Sequence, residues 1–318
     1  MLSLKDFREK QILLIQNELG VENKIRFEND NVVFEKDGKV ANRLSCFKIL
    51  AIFIIGDTSI TSVLMRNCLK YGIALFMLKN NFELYASIGC GAEGNYLLRK
   101  KQYQNLDEFD LSKRVVANKI LNQFRLLKLA KMINKQKFEN SGAEATKKVK
   151  AAKDNQKLLG IEGNYTKNFF QTYFNELNWR RRMPRTKYDP YNVLMDMGYT
   201  FLFNYIETLL KLYGFDVYKG FYHKLFFQRK SLVCDLMEPF RCIIDKQLLK
   251  SFRLRQIDNK DFKIISKRYA LSYDKSQKYA LIFLEALVSN KEKMFSYIKD
   301  FYKCVIKDEK DYPVFKIS

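Results

Sequence analysis

Residues 189–214 have the sequence DPYNVLMDMGYTFLFNYIETLLKLYG, and this stretch predicts a long helix at the centre of the fold. Asp189 suits the N-cap because its carboxylate can accept hydrogen bonds from free N–H groups of the first turn, and Pro190 suits the first helical position. Gly214 suits the end of the helix, where a left-handed residue is common. The apolar residues between these ends form a broad stripe, so we expect the helix to run through the core. They are Val193, Leu194, Met197, Phe201, Leu202, Ile206, Leu209 and Leu210.

Helical spacing of apolar residues continues through most of the chain after residue 90, whereas the preceding part favours strands. Asn, Asp and Gly residues separate the candidate strands, and Thr58 or Ser59 is expected to cap a short helix that ends near Gly72. The sequence therefore predicts an α+β fold, with a small N-terminal β-rich domain over residues 1–90 and a larger all-α C-terminal domain over residues 91–318. The candidate strands are Ile12–Ile15, Lys24–Phe27, Val32–Glu35, Ile49–Ile55, Ile73–Leu78 and Phe82–Ile88.

The 318-residue chain carries 57 Lys and Arg against 35 Asp and Glu, a formal net charge of +22. Such a surplus lies mostly on the surface, because unpaired lysine is rarely buried. It indicates a polyanionic partner, either nucleic acid or an anionic membrane surface. The longest apolar run, Ile49–Ile55, is far shorter than the roughly 20 residues that span a bilayer, and the sequence does not open with a signal-peptide pattern. We therefore expect a cytoplasmic protein that binds nucleic acid and no membrane.

The six cysteines are scattered through mainly apolar stretches and form no C-x-x-C pair, which is typical of reduced core residues. With His223 as the single histidine, a structural zinc site would lack closely spaced ligands. The cysteines are Cys46, Cys68, Cys90, Cys234, Cys242 and Cys304.

Two basic segments are candidates for DNA binding. Between Leu111 and Lys157 there are 13 Lys or Arg against three acids, on helices whose other face is apolar; Asn140–Ala145 is expected to be a flexible break. Residues 178–187, NWRRRMPRTK, contain four arginines and the only tryptophan. Arginine forks grip phosphates, and an aromatic neighbour can hold such a loop or stack on an unpaired base. For both segments the alternative is a solvated surface without a partner.

The segment from His223 to Glu238 contains the side chains best suited to chemistry. Asp235 and Glu238 are three residues apart, hence on one face of a helix, and their neighbours are almost all apolar. A carboxylate in such a setting needs a counter-charge. A metal ion would supply it, and so would Arg241, so the residues leave both alternatives open. Glu162 lies between two glycines, where we expect a helix to begin.

Together with their surroundings, several segments resemble the CRISPR-associated integrase, the nuclease-like subunit that inserts new spacers into a CRISPR array. The resemblance covers most of the chain. Its most specific segments are Gly160–Gly163, Asp189–Asn192 with Gly198–Tyr199, Gly220–His223, and Asp235–Glu238 with Phe240–Arg241. Further similar segments are Ile54–Thr61, Tyr71–Ile73, Gly94–Asn95, Gln102–Tyr103 and Tyr312–Phe315. The sequence EPFRC and the richness in Lys and Asn resemble members from type V systems.

The resemblance implies catalytic roles for Glu162, His223, Asp235 and Glu238, with Glu162, His223 and Glu238 as ligands of Mg²⁺ or Mn²⁺, ions that suit such donors. Pro239 and Cys242 depart from the pattern, which leaves open whether Asp235 or Glu238 touches the metal. We assign DNA contacts to basic residues at and near the site. They are Arg180, Arg181, Arg182, Arg185, Lys224 and Arg241.

The implied reaction is attack of a DNA 3′-hydroxyl on a phosphodiester of a CRISPR repeat. The implied assembly contains double-stranded DNA, a homodimer formed through the N-terminal domain, and a small ferredoxin-like partner subunit. Two alternatives remain. One is a metal-dependent, structure-specific DNA nuclease without integration activity, and the other is a DNA-binding scaffold whose carboxylates pair with Arg241.

Overall fold

The computed structural model describes residues 8–16, 23–80, 82–89, 94–104, 106–177, 179–223, 226–309 and 311–318. Among the described residues of the first part are seven strands and a ten-residue helix. The strands are β1 (Gln11–Gln16), β2 (Asn23–Glu28), β3 (Asn31–Lys36), β4 (Lys39–Ser45), β5 (Ile49–Ile55), β6 (Ala74–Leu78) and β7 (Leu84–Ile88), and helix α1 is Ser62–Tyr71.

These strands form two sheets. One has the order β1-β5-β6-β7, in which β5 pairs in parallel with both β1 and β6, and β7 is antiparallel to β6. The other is the antiparallel meander β2-β3-β4. Every residue of β5 is buried, as expected for a central strand covered on both faces.

The second part is mainly helical. Its helices are α2 (Tyr96–Gln104), α3 (Glu108–Leu129), α4 (Lys135–Lys150), α5 (Asn155–Tyr173), α6 (Pro190–Tyr213), α7 (Ser231–Met237), α8 (Arg241–Arg253), α9 (Tyr273–Val288) and α10 (Lys291–Lys307). A short 3₁₀ turn, Glu238–Phe240, joins α7 to α8, and a two-stranded hairpin, β8 (Phe262–Ile265) with β9 (Arg268–Leu271), lies between α8 and α9. No helix in the described part of the chain is long and apolar enough to cross a membrane.

Helix α6 is the predicted core helix. Asp189 caps it by accepting a hydrogen bond from the N–H of Asn192 at 2.7 Å, and Gly214 ends it with φ 87°. Phe201 packs edge-to-face on Phe53 of β5, with ring centroids 5.8 Å apart, so α6 contacts the sheet as well as the helices. A Cβ on Gly198 would lie 2.5 Å from Ile244 Cγ2, which shows how closely α8 approaches α6.

The predicted α+β architecture is confirmed, and all six candidate strands are present. The additional strand β4 lies at the edge of its sheet and is largely exposed, so its sequence KVANRLS lacks an apolar pattern. The predicted flexible break at Asn140–Ala145 is wrong, because these residues lie inside α4, with Gly142 and Ala145 buried. Glu162 does not begin a helix either, since it lies in the middle of α5. The described cysteines form no disulfide bond with one another, and Cys90 lies outside the described residues.

Candidate active site

Two buried carboxylates meet at the ammonium of Lys119. Lys119 lies on α3, Glu162 on α5, and Glu238 on the 3₁₀ turn after α7. The Lys119 ammonium donates to Oε1 of Glu162 and forms an ion pair with Oε2 of Glu238 at 2.7 Å. The three side chains are only 10%, 14% and 4% exposed, respectively. We call Glu162 and Glu238 the carboxylate pair.

Polar contacts of α3 hold this arrangement in place. Asn122 donates through Nδ2 to the carbonyl of Pro239 at 3.0 Å, which fixes the 3₁₀ turn beside Lys119. Asn118 exchanges two hydrogen bonds with the backbone of Phe315, and the N–H of Ile317 donates to Oδ1 of Asn122 at 3.2 Å. The segment around Phe315 is therefore held against α3 by hydrogen bonds between asparagine side chains and its backbone.

The electrostatics of the site favour an ionised Glu238. Burial alone would raise the pKa of Glu238, but the positive charges of Arg241 and Lys119 outweigh it and lower the pKa to about 2. Burial likewise acts to lower the pKa of Lys119, and the charges of Glu238 and Glu162 reverse this and raise it. Nε of Arg241 lies 2.9 Å from Oε2 of Glu238. Glu238 is therefore ionised, and side-chain cations offset its charge.

Asp235 has a different environment, although it is also buried. Its Oδ2 accepts hydrogen bonds from the N–H groups of Phe221 at 2.7 Å and Tyr222 at 3.0 Å. Its Oδ1 accepts from the N–H of His223 at 2.9 Å and lies 2.6 Å from Nδ1 of the same residue. We call residues 220–223 the histidine turn. The carboxylate of Asp235 accepts a hydrogen bond from Nδ1 of His223, so a neutral imidazole carries its proton on Nδ1. Its Nε2 then keeps a free lone pair.

Gly220 makes the close approach of the histidine turn possible. A Cβ at this position would lie 2.5 Å from Oδ2 of Asp235 and 2.8 Å from the carbonyl carbon of Ser231. Any other residue would push the turn away from α7. The glycine of the GFYH segment is thus explained by packing against the carboxylate that orients His223.

Tyr222 connects the histidine turn to the carboxylate pair. Its hydroxyl donates to Oε2 of Glu162, while Oε1 of the same carboxylate accepts from Lys119. Burial, followed by the charge of Glu162, raises the pKa of Tyr222 far above its usual range, so the hydroxyl remains a donor. The four predicted catalytic residues are therefore joined in one network. Lys119 links Glu162 to Glu238, and Tyr222 links Glu162 to Asp235, which contacts His223.

Residues 179–187, which we call the arginine segment, are anchored to the N-terminal end of α6. Arg182 pairs with Asp196 at 2.5 Å, and its Nη1 donates to Oδ1 of Asn192 at 2.9 Å. Trp179 packs edge-on against Phe170 and Phe174. Trp179 is therefore occupied in holding the segment. Three arginines of the segment remain exposed: Arg180, Arg181 and Arg185.

Arg241 is occupied on two sides. Its guanidinium pairs with Glu238 and lies 4.6 Å from the centre of the Tyr199 ring. The hydroxyl of Tyr199 donates to Oδ1 of Asp245 at 2.6 Å. Burial raises the pKa of Asp245 to about 7, although Tyr199 and Arg241 both act against this shift. Lys224, the remaining predicted DNA contact, lies outside the described residues.

Lys119 and Tyr222 were missed by the sequence analysis. A signal for Lys119 exists, because helical spacing puts it on the buried side of α3 with Val115, Val116 and Gln123. A lysine on the packed face of a helix needs a buried acid as partner. Tyr222 stands beside His223 in the sequence, but only the fold brings its hydroxyl to Glu162.

The carboxylates of Glu162 and Glu238 and the imidazole of His223 are donors of the chemical type that Mg²⁺ and Mn²⁺ accept. Among the described residues, no three His, Cys, Asp or Glu side chains are arranged as a ready metal cluster, and the Lys119 ammonium lies between the two carboxylates. Oε2 of Glu238 is buried and accepts no aligned hydrogen bond from the described residues, although two cations lie close to it.

A basic surface continues from the site along α4 and the beginning of α5. The inner side of α4 is buried through Gly142, Ala145 and Val149, and the outer side carries lysines. The exposed lysines of this surface are Lys147, Lys148, Lys150, Lys153 and Lys157.

The family model described as CRISPR associated protein Cas1 matches residues 19–285. A curated relative from Thermodesulfovibrio yellowstonii, named CRISPR-associated endonuclease Cas1 1, is 29% identical over 253 residues, which cover 75% of this chain and 79% of that protein. A relative from Rhodospirillum rubrum, named CRISPR-associated endonuclease Cas1 2, is 28% identical over 278 residues and 81% of each chain.

Three solved structures share the fold. A casposase bound to integration product has a TM-score of 0.80 at 18% identity and covers 97% of this chain and 96% of its own. A Cas1 protein from Thermotoga maritima has a TM-score of 0.78 at 18% identity, with 97% and 99% covered. A chain of a Cas6-RT-Cas1–Cas2 complex has a TM-score of 0.77 at 22% identity, with 98% of this chain and 36% of that chain covered. Since the family model matches most of the sequence, the chain belongs to the CRISPR associated protein Cas1 family.

Proposed function

We propose that this protein is a divalent-metal-dependent DNA integrase and endonuclease, which inserts short DNA fragments into a CRISPR array by attack of a 3′-hydroxyl on a phosphodiester. The carboxylate pair carries the proposal. Two carboxylates from separate elements converge in a nearly buried site, and their counter-charges are the side-chain cations Lys119 and Arg241. Sites of this type serve chemistry more often than stability, because burying such charges is costly.

The proposed ligands of Mg²⁺ or Mn²⁺ are Glu162, Glu238 and Nε2 of His223. When bound, the ion supplies polarisation of the scissile phosphate and a lower pKa for the attacking hydroxyl. The role of Asp235 is to orient the imidazole, because both of its oxygens are already engaged by the histidine turn. The role of Tyr222 is to orient Glu162 through its hydroxyl.

DNA is proposed to lie along the basic surface of α4 and α5 and to contact the exposed residues Arg180, Arg181 and Arg185. These side chains project from an anchored segment, so they can grip phosphates at little cost in ordering. Arg182 is proposed to support DNA binding indirectly, by holding the arginine segment in place. Arg241 is proposed to do so by holding Glu238. Affinity for DNA should fall steeply with salt, because each phosphate contact releases counterions.

The names of similar proteins support the reaction and the partners. One structure with this fold holds an integration product, and another is a complex that includes Cas1 and Cas2. We propose by analogy that this chain acts on double-stranded DNA as a homodimer, dimerising through residues 1–90, with a small ferredoxin-like partner subunit. Origin from a type V system remains part of the proposal.

Strand joining is the direct test. Purified protein is incubated with supercoiled plasmid, short duplexes with 3′-hydroxyl ends and Mn²⁺, and joined products are measured for the wild type and for Glu162→Ala and His223→Ala. We expect joining by the wild type and its loss in both variants. Asp300→Ala removes an exposed carboxylate, 51% exposed, and serves as the matched control that should retain joining. Cleavage without joining would favour the structure-specific nuclease instead.

A second candidate is a DNA-binding scaffold without metal chemistry. The observation that favours it is that Lys119 and Arg241 form ion pairs with the carboxylate pair and offset its charge. Mn²⁺ titration separates the candidates, since a scaffold would bind DNA equally at every Mn²⁺ concentration and would never change the strands.

A further inference from the structure

The ammonium of Lys119 lies where the two proposed carboxylate ligands converge. Among the contacts of the described residues, it is the cation shared by both, since Arg241 pairs with Glu238 and Tyr222 donates to Glu162. Lys119 is only 10% exposed, so its ammonium has little access to water as an alternative partner.

This position has a physical consequence for any second cation. Two carboxylates brought together in a site of low dielectric constant repel each other, and the ammonium offsets this repulsion. A divalent ion bound to the same oxygens would be repelled by the ammonium at short range. The ammonium and the metal therefore compete for one pair of oxygens.

We propose that Lys119 is a built-in competitor of the divalent metal, which keeps the carboxylate pair in place before loading and must be displaced when the ion binds. This inference rests on the proposed function, because it assumes that Glu162 and Glu238 are metal ligands. It makes Lys119 a positioning residue that sets metal affinity, and it predicts that the site loads at a higher metal concentration than its ligands alone would require.

The competing ammonium is attached to the protein through the Lys119 side chain, unlike a salt cation that is free in solution. Lys119 is held by α3, which Asn122 connects to the turn of Glu238, so the ammonium stays beside the pair after displacement. Its effective concentration at the site remains high, and loading is therefore a reversible exchange between two cations.

The first test measures Mn²⁺ binding without DNA, by calorimetry and by the electron paramagnetic resonance of free Mn²⁺. Lys119→Met keeps the length and removes the charge, and we expect it to bind Mn²⁺ about tenfold more tightly than the wild type. Lys119→Arg retains the charge and should show no such gain. Lys79→Met makes the same change at an exposed pair, where Lys79 is 54% exposed, and should bind as the wild type does.

The second test uses the wild type, so it stands even if Lys119→Met fails to fold. Lysines are acetylated briefly with and without Mg²⁺, and the modified peptides are quantified by mass spectrometry. Lys119 should be protected without the ion and react about fivefold faster with it, because displacement frees the amine from its two partners. The reactivity of Lys79 should not change.

The outcomes separate this inference from the proposed function. Tight Mn²⁺ binding by the wild type, with equal or weaker binding by Lys119→Met or with unchanged protection of Lys119, would overturn the inference and leave the metal site standing. Absence of Mn²⁺ binding in the wild type and in every variant would overturn both.

Discussion

Asp235 and Glu238 are three residues apart and equally buried, yet the protein satisfies them in opposite ways. Asp235 is held by backbone N–H groups of the histidine turn and by the His223 ring. Glu238 is held by the side-chain cations Lys119 and Arg241. Backbone donors cannot leave without unfolding the turn, whereas side-chain cations can be exchanged. The difference indicates which carboxylate is scaffold and which is available to a ligand.

The sequence leaves open whether Asp235 or Glu238 is the direct metal ligand, and we propose an answer from their environments. Both acids lie in the same apolar segment, so periodicity and composition cannot distinguish them. Their environments do, and they favour Glu238 as the direct ligand, with Asp235 behind His223. The following predictions test this distinction, beginning with the largest effect.

The largest expected effect is on catalysis by Glu238→Gln. Loss of a charged ligand should lower the rate of Mn²⁺-dependent strand joining by about 10³-fold, because a metal site contributes several kcal/mol to the transition state. Initial rates with a labelled 3′-hydroxyl duplex provide the measurement. Folding should persist, as judged by circular dichroism. A variant that joins strands at the wild-type rate would exclude Glu238 as a ligand.

Asp235→Asn should lower catalysis less than Glu238→Gln does, and it should also destabilise the fold. The amide places an N–H₂ group against backbone donors, so we expect a loss of about 3 kcal/mol in the free energy of unfolding. Loosening of His223 should lower activity by about 10-fold to 100-fold. Urea denaturation and joining rates are measured together. A loss of activity in Asp235→Asn that exceeds the loss in Glu238→Gln would contradict the assignment of Glu238 as the direct ligand.

The low pKa of Glu238 makes stability depend on acid pH. Its pKa is lowered from 4.5 to about 2 in the folded protein, so the ionised carboxylate stabilises the fold above pH 4.5. This contribution, about 3 kcal/mol, is lost as the pH falls from 4.5 towards 2. The difference in unfolding free energy between the wild type and Glu238→Gln should therefore shrink between pH 6 and pH 3. A difference that is constant over this range would contradict the ion-pair account.

The smallest effects concern two glycines. Gly220→Ala places a Cβ 2.5 Å from Asp235, and we expect a loss of about 1–3 kcal/mol through overpacking. Gly160→Ala, in the helix that carries Glu162, meets nothing within 4 Å and should stabilise the protein by about 0.5–1 kcal/mol. Thermal unfolding of both variants provides the measurement, and a shift of the same sign in both would disprove the packing account of Gly220.

The success of the sequence analysis follows from local physical rules. Asp189, Pro190 and Gly214 mark the ends of α6 because capping depends on neighbouring residues alone. The buried strand β5 is apolar throughout and needs no tertiary information. The glycine in the middle of α4 misled the prediction of a break, because only packing against Leu121 reveals why Gly142 is there.

The site was only partly predictable for the same reason. The resemblance identified the acids and His223, and Lys119 carried a weak signal as a lysine on a buried helix face. The bond from Tyr222 to Glu162 joins residues 60 apart, and no local pattern specifies such a partner. Contacts of this kind depend on how α3, α5 and the histidine turn pack together.

The segment around Phe315 binds Asn118 and Asn122, and Asn122 also binds the turn that carries Glu238. Residues 311–318 therefore support the candidate site, although they lie about seventy residues beyond Glu238 in the sequence. Removal of residues 311–318, or proteolysis within them, would therefore disturb the candidate active site through Asn118 and Asn122.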